Sequence, residues 1–384
     1  MIKDKVYKKL NSFQEFKAKN FVDYKSVLSR IKVILKEKKK LNQLNSSQLS
    51  ILENVKKDIF EENKDKKIKF NLSKHVLEEI QSLDDSVIPL YLVHRYRYEI
   101  FPELKIIDEY PPYLQIEPSS VCNYRCVFCF ETDDSFTNKK NGYMGSMKLD
   151  LFKKVIDEAE NNIQFISIAS RGEPLVCKEI SQMLEYTKGK FINLKLNTNA
   201  SLLNEENIHA ILSGGVKTLV FSADAADKKT YAKLRVNGSL EKVLKNIKLF
   251  KKIKEQHYSK SKIITRVSGV KFNNEQNIES MNNLWSELVD QVAFVDYNPW
   301  EDVYSRKSNK IPTPCSDLWR RMFIWWDGKA NPCDTDYKSN LNVGNFKDVS
   351  LSSLWKSLMY QELRKGHLAN NRKKFSPCGS CVVI

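Results

Sequence analysis

Two textures divide the chain. Up to residue 110, apolar side chains recur at three- and four-residue steps, as Phe13, Phe16, Val27, Leu28, Ile31 and Leu35 in one run and Leu52, Val55, Ile59 and Phe60 in another. That period predicts helices with one apolar stripe, and Ser46 or Ser47 stands where the second run needs a cap. The stretch from Ser86 to Phe101, with Tyr91, Tyr96 and Tyr98, reads as an aromatic connector that docks on the next domain. From Tyr113 short β-rich runs take over: Tyr113 to Ile116, Phe165 to Ala169, Asn193 to Asn197, Thr218 to Ser222, Ile263 to Val270 and Val292 to Tyr297. Between them lie helical patterns over Leu149 to Glu160, Glu179 to Lys188, Glu205 to Leu212, Leu240 to Lys254 and Ile278 to Leu288.

Strict alternation of strand and helix predicts an α/β fold with a parallel sheet, and six such units predict a partial (β/α)6 TIM-like barrel. Functional residues then belong just after the strands, where such sheets bind ligands. After Pro299 the alternation stops, and Pro312, Pro314, Gly328, Pro332 and Pro377 punctuate a compact tail. The expected organisation is a Lys-rich helical extension over 1–110, a β/α barrel over 111–299 and a small C-terminal module over 300–384.

Composition narrows the class. At 384 residues, 41% hydrophobic and 29% charged, the chain has material for a large core. Eight cysteines are too sparse for a secreted disulfide scaffold, and MIKDKVYKKL carries charges where a signal peptide needs an apolar run. The expectation is a soluble protein of the reducing cytoplasm, with no membrane partner. The net charge of +16 invites a nucleic-acid reading, but the first 70 residues hold 19 Lys or Arg against 9 Asp or Glu, which is +10 of the +16. The excess is an N-terminal feature, better suited to solvated helix faces, or to contact with a partner or a second copy, than to nucleic acid.

The chemistry lies in the cysteines. Cys122, Cys126 and Cys129, in IEPSSVCNYRCVFCFE, follow the first strand candidate directly. Three thiolates so close reach one soft metal centre but do not close a tetrahedral zinc site. A 4Fe-4S cube on three cysteines leaves its fourth iron open to a small chelating ligand. A zinc site completed by a distant fourth ligand, or unrelated buried thiols, are the alternatives.

With Phe128 before the last cysteine, this C-x3-C-x2-C spacing resembles the radical S-adenosylmethionine (SAM) superfamily. The resemblance implies a 4Fe-4S cluster whose free iron binds S-adenosylmethionine and, once reduced, cleaves it to a 5′-deoxyadenosyl radical. Arg171-Gly172-Glu173-Pro174, after the second strand, resembles the family's Gly-Gly-Glu-Pro element, which recognises the methionine amino group. Arg171 replaces the first glycine, which puts the shape of the turn in question; alone, Gly-Glu-Pro is an ordinary β-to-α turn. Ser222 and Arg235 resemble family positions that hold the cofactor's ribose and carboxylate, and an arginine fork suits a carboxylate. Equally, a lone serine and arginine are often polar surface. Asn197 and Asn199 are further candidates for lining the site, with capping or turn chemistry as their other use.

The tail holds Cys315, Gly328, Cys333 and the pair Cys378 and Cys381. Alone, four such cysteines also suit structural zinc. The arrangement C-x12-G-x4-C followed by C-x2-C resembles the auxiliary-cluster module called SPASM, or its short form called Twitch. Full versions carry seven cysteines; the four here suffice for one fully ligated 4Fe-4S cluster. Their spacing looks most like that of the 2-deoxy-scyllo-inosamine dehydrogenases, which oxidise a secondary alcohol on an amino-sugar-like ring. Asp334, directly after Cys333, stands where anaerobic sulfatase-maturing enzymes are thought to place a base, and a carboxylate there can take a proton from a substrate hydroxyl. Its other reading is an acid that accepts backbone amides in the cluster loop. Cys177 reads as a buried bystander. Trp319, Trp325 and Trp326 read as packing for the module, and the five histidines show no metal spacing.

These patterns support three functions. One is a radical SAM oxidoreductase that dehydrogenates or epimerises a small carbohydrate or amino-cyclitol, drawing electrons from a flavodoxin or ferredoxin. The second is a peptide maturase; many of these begin with a winged-helix-like domain and keep seven tail cysteines, which this chain does not. The third, a zinc protein binding nucleic acid, leaves the first cysteine set one ligand short.

Overall fold

The computed structural model describes residues 6–9, 12–19, 23–61, 67–169 and 171–384. Two units divide the chain, one of residues 20–108 and one that joins residues 1–19 to 109–384. Among the described residues no helix is long and apolar enough to cross a membrane.

The larger unit begins with a strand, β1 (Phe13–Ala18), where the spacing of Phe13 and Phe16 reads as helical. The reason is a bulge: the pairing register of β1 shifts between Phe13 and Glu15. An extra residue in one strand brings two side chains three positions apart onto one face, so the bulge mimics a helical step. Both rings lie over the Arg266 guanidinium, at 5.3 and 5.8 Å.

The smaller unit is helical: α1 (Tyr24–Ile34), α2 (Lys38–Leu41), α3 (Ser46–Phe60), α4 (Lys74–Ser82) and α5 (Ile88–Leu104). Apolar stripes of α1, α3 and α4 bury Ile31, Leu52, Val55, Val76 and Ile80. The cap of α3 is Asn45, not a serine: its side chain accepts from Gln48 N while the Gln48 side chain accepts from Asn45 N, a reciprocal capping box. Arg30 of α1 donates to the Ile80 and Leu83 carbonyls, closing the end of α4.

The barrel strands are β2 (Tyr113–Ile116), β4 (Phe165–Ile168), β5 (Asn193–Thr198), β6 (Thr218–Ser222), β8 (Ile264–Lys271) and β9 (Gln291–Asp296). They run parallel and in sequence order, as a partial (β/α)6 barrel does. A short pair, β3 (Arg125–Cys126) and β7 (Arg235–Val236), lies outside this sheet and pairs antiparallel. The connecting helices are α7 (Leu149–Ala159), α8 (Ile180–Tyr186), α9 (Glu205–Ser213), α10 (Lys228–Leu234), α11 (Leu240–His257) and α12 (Ile278–Ser286), with the single turn α6 (Asp134–Thr137) ahead of them. Alternate strand residues such as Leu114, Ile166, Leu196, Phe221 and Phe294 join Phe152, Val243, Ile247 and Trp285 of the helices in one buried core. The opposite strand face therefore looks into the barrel.

The two edges of this sheet are closed by residues from the chain's ends. On one side β1 pairs antiparallel with β9. On the other, β10 (Arg321–Ile324) runs parallel to β2 and continues through β11 (Lys329–Asn331) into β12 (Gly344–Asn345). Two helices, α13 (Leu351–Trp355) and α14 (Leu358–Leu368), complete the tail. Ahead of β1, Tyr7 bridges to Val383.

Candidate active site

The loop after β2 carries the first three cysteines, and the loop after β4 presses against it. Gly172 is the contact point: a Cβ there would stand 2.5 Å from the Ser119 carbonyl oxygen and 2.6 Å from that of Val121. Only a bare backbone fits. Gly172→Ala is accordingly expected to push the loops apart and prevent assembly of the first cluster, read as a fall from about eight irons per chain to about four after anaerobic reconstitution.

Glu173 locks the same junction. Its backbone N–H donates to the Val121 carbonyl at 3.0 Å. Its buried carboxylate accepts from Leu175 N, Thr198 Oγ1 and Asn199 N at 3.1, 2.7 and 2.7 Å. Burial raises its pKa against the opposing effect of these bonds. Glu173 thus fixes the loop after β5 to the loop after β4, and Pro174 opens a short turn beyond it. Asn199, held there, donates to Asn123 Oδ1 at 2.9 Å and stands 4.0 Å from Cys122 Sγ.

Arg171, in place of a glycine, is buried and engages Glu117 and the tail. Its fork grips Glu117 at 2.7 and 2.5 Å, a third N–H donates to the Tyr337 carbonyl at 2.8 Å, and its plane lies 4.3 Å over the Trp325 ring. The departure from the family's element thus ties the barrel to the tail. Ser170 lies outside the described residues.

Cys126 of β3 faces Arg235 of β7. The Arg235 guanidinium binds Asp224 at 2.6 Å, stands 3.8 Å from Cys126 Sγ and lies 5.9 Å over Phe128. Asp224 also accepts from Val270 N at 2.6 Å, so a carboxylate that has no recognisable pattern in the sequence fixes the arginine. Phe128 is buried against Phe272, and its carbonyl accepts from Trp300 Nε1. Ser222 ends β6, half-buried beside Ser268 of β8. Asn197 lies on β5 opposite Val220, its Oδ1 buried without a hydrogen-bond partner.

The thiols suit a cluster. Burial pushes Cys122 up to about 12 and raises Cys126 and Cys129 as well, with neighbouring thiols and carboxylates adding to the shift. Thiolates in such surroundings need a cation bound to them. In the tail, Cys315, Cys333, Cys378 and Cys381 line one cavity together with Lys9, Asp317, His367 and Arg372. Cys122, Cys126 and Cys129 remain one donor short of a closed tetrahedral site. A 4Fe-4S cube takes each thiolate on a different iron and can be held by three or by four cysteines. The donor sets fit two iron-sulfur clusters.

Several residues of this cavity escape sequence reasoning. Arg372, buried, donates to the carbonyls of Cys378, Cys381 and Val383 and fixes the C-x2-C turn. Lys9 reaches the cavity from the N-terminal segment and binds Asp317 at 2.7 Å and Asp334 at 2.9 Å. Asp334 is therefore engaged by an ammonium. Nothing in the local sequence links Lys9 to residues more than 300 positions away. Cys177 sits in the aliphatic core, apart from both sets. Trp319 and Trp325 are fully buried, and Trp326 donates to the Tyr143 carbonyl.

The sequence profile of the Radical SAM superfamily matches residues 116–283, and that of an iron-sulfur cluster-binding domain, SPASM, matches residues 315–382. The chain carries a radical SAM domain followed by a SPASM domain. A 4Fe-4S cluster, S-adenosylmethionine and an auxiliary iron-sulfur cluster are thereby its cofactors. This radical SAM chain is 30% identical over 142 residues to a tungsten-containing aldehyde ferredoxin oxidoreductase cofactor-modifying protein of Pyrococcus furiosus, covering 35% of itself and 38% of that protein. It is thus matched to well under half of that relative's length. To a GTP 3′,8-cyclase of Clostridium botulinum it is 26% identical over 250 residues, 62% of this chain and 70% of the cyclase. The crystal structure of SuiB from Streptococcus suis superposes with a TM-score of 0.54 at 16% identity, covering 90% of this radical SAM chain and 95% of SuiB. That likeness is one of fold.

Proposed function

We propose that the chain is a radical SAM oxidoreductase acting on a small polyhydroxylated molecule, a carbohydrate or amino-cyclitol, by dehydrogenation or epimerisation. The observation that carries this reading is the lining of the barrel. In closed TIM barrels the inward strand positions are filled by bulky aliphatic residues. Here Gln115, Ser167, Lys195, Asn197, Ser222 and Ser268 stand at such positions, beside the apolar Tyr113, Phe165, Val220 and Ala293, on the face opposite the aliphatic core. Ser167 Oγ and Asn197 Oδ1 are buried without partners. Hydroxyl, amide and ammonium groups so placed match a ligand rich in hydroxyl groups. That the GTP cyclase relative acts on a small molecule, as its name states, points the same way.

In this reading Cys122, Cys126 and Cys129 hold the first cluster, and Cys315, Cys333, Cys378 and Cys381 hold the second. Bound there with S-adenosylmethionine, the clusters supply a 5′-deoxyadenosyl radical to take a hydrogen atom and an acceptor for the substrate's second electron. Gly172 and Glu173, with Pro174, set the loop that meets the methionine amino group. Arg235, anchored by Asp224, presents its remaining N–H groups to the cofactor carboxylate. Ser222 and Asn197 take the ribose side, and Phe128 packs the cluster loop. Asp334, ion-paired with Lys9 beside the second cluster's cysteines, takes the proton of the substrate hydroxyl. A flavodoxin or ferredoxin supplies the reducing electron.

An anaerobic turnover assay with a panel of nucleotide sugars and amino-cyclitols tests the reading, scored by 5′-deoxyadenosine release and by substrate mass. A loss of about two mass units means dehydrogenation and an unchanged mass with inverted configuration means epimerisation. Turnover only with peptides would overturn the small-molecule assignment in favour of a maturase. With a substrate in hand, Cys378→Ala is expected to release 5′-deoxyadenosine without matching product; full product formation would remove the second cluster from the reaction.

A further inference from the structure

His367 lies near the end of α14 and lines the cavity of the four tail cysteines. Its ring is almost wholly buried, at 1% exposure. The backbone N–H of Cys315 donates to its Nδ1 at 3.1 Å. A ring nitrogen that accepts carries no proton, so the proton of the neutral ring is on Nε2. That Nε2 is buried and has no hydrogen-bond partner. A buried donor without an acceptor is costly and calls for an explanation. The protein offers it none, and the cavity it borders is walled by sulfur ligands.

We infer that His367 Nε2–H donates a hydrogen bond to a sulfur of the second cluster and thereby sets its reduction potential, while Nδ1 holds the backbone of ligand Cys315. The inference rests on the four tail cysteines binding that cluster. Hydrogen bonds to cluster sulfur stabilise the more negative, reduced state and raise the potential. His367 is a positioning and tuning residue that touches no reacting carbon. Its effect is to make the second cluster a better electron acceptor.

The test uses the full chain with Cys122→Ala, Cys126→Ala and Cys129→Ala, so that the second cluster is observed by itself. In that background His367→Phe, which neither accepts nor donates, is expected to shift the midpoint potential downward in an EPR-monitored redox titration. His367→Gln, which retains an acceptor for Cys315 N–H and a donor for sulfur, is expected to restore most of the shift. With 15N-labelled histidine, pulsed EPR of the reduced cluster should show a coupled imidazole nitrogen while His367 is present, a measurement that needs no substitution at His367. An intact cluster with unchanged potential in His367→Phe, or no histidine coupling, overturns the inference. A chain that takes up no iron once the first three cysteines are replaced overturns the ligand assignment itself, and the inference with it.

Discussion

Cys126→Ala abolishes 5′-deoxyadenosine formation and leaves the fold in place. The first set has three thiols, and Cys177, the other cysteine of the barrel, sits in the aliphatic core. A cluster that loses one of three ligands is not held in the geometry that leaves one iron open to the cofactor. The backbone pairing of β3 with β7 does not use the thiol, so Arg125 still faces Val236 and the loop keeps its course. Product release by mass spectrometry and far-UV circular dichroism check the two halves of this expectation. Residual 5′-deoxyadenosine above the no-enzyme control would mean that Cys126 is not a ligand.

Arg171→Gly restores the double glycine of the family's element and is expected to be strongly destabilising. Removing the guanidinium leaves Glu117 as a fully buried carboxylate whose two charged bonds are gone. Uncompensated buried charges of this kind cost about 3–5 kcal/mol. The loss also removes the bond to the Tyr337 carbonyl and the stack on Trp325, so it loosens the docking of the tail on the barrel. The midpoint of anaerobic denaturant unfolding should fall accordingly. The double variant Glu117→Gln with Arg171→Met, which removes the stranded charge, should recover part of the loss. A single variant as stable as the native chain would show that Glu117 finds another partner or a proton.

The barrel strands and helices were legible because each repeats one physical pattern, aliphatic residues on the face toward the helices and turn residues between. The predicted strands Tyr113 to Ile116 and Thr218 to Ser222 are the observed ones, and the other four differ by one residue at one or both ends. What escaped reading is what depends on distant partners. The bulge in β1 counterfeited a helical step at Phe13 and Phe16. Asn45 outcompeted the serines for the cap because Gln48 stands at the reciprocal position. Strands β10 to β12 are two to four residues long, too short to show a period. In the site, the cysteines and Gly172 could be found because their spacing is local. Glu117, Asp224, Lys9, Arg372 and His367 could not, since each takes its meaning from a group brought near only by folding.

The bridge between Tyr7 and Val383 bears on how the protein is made. A growing chain emerges amino end first, and contacts between residues far apart in sequence form late. Until Val383 is made Tyr7 lacks its bridge partner, and until Asp317 and Asp334 are made Lys9 lacks both its carboxylates. The barrel can condense meanwhile around its own helices. The wall that Lys9 supplies to the cavity of the tail cysteines therefore waits on residues more than 300 positions further along the chain. Closure of that side by the amino-terminal segment thus depends on a tail that has already been made.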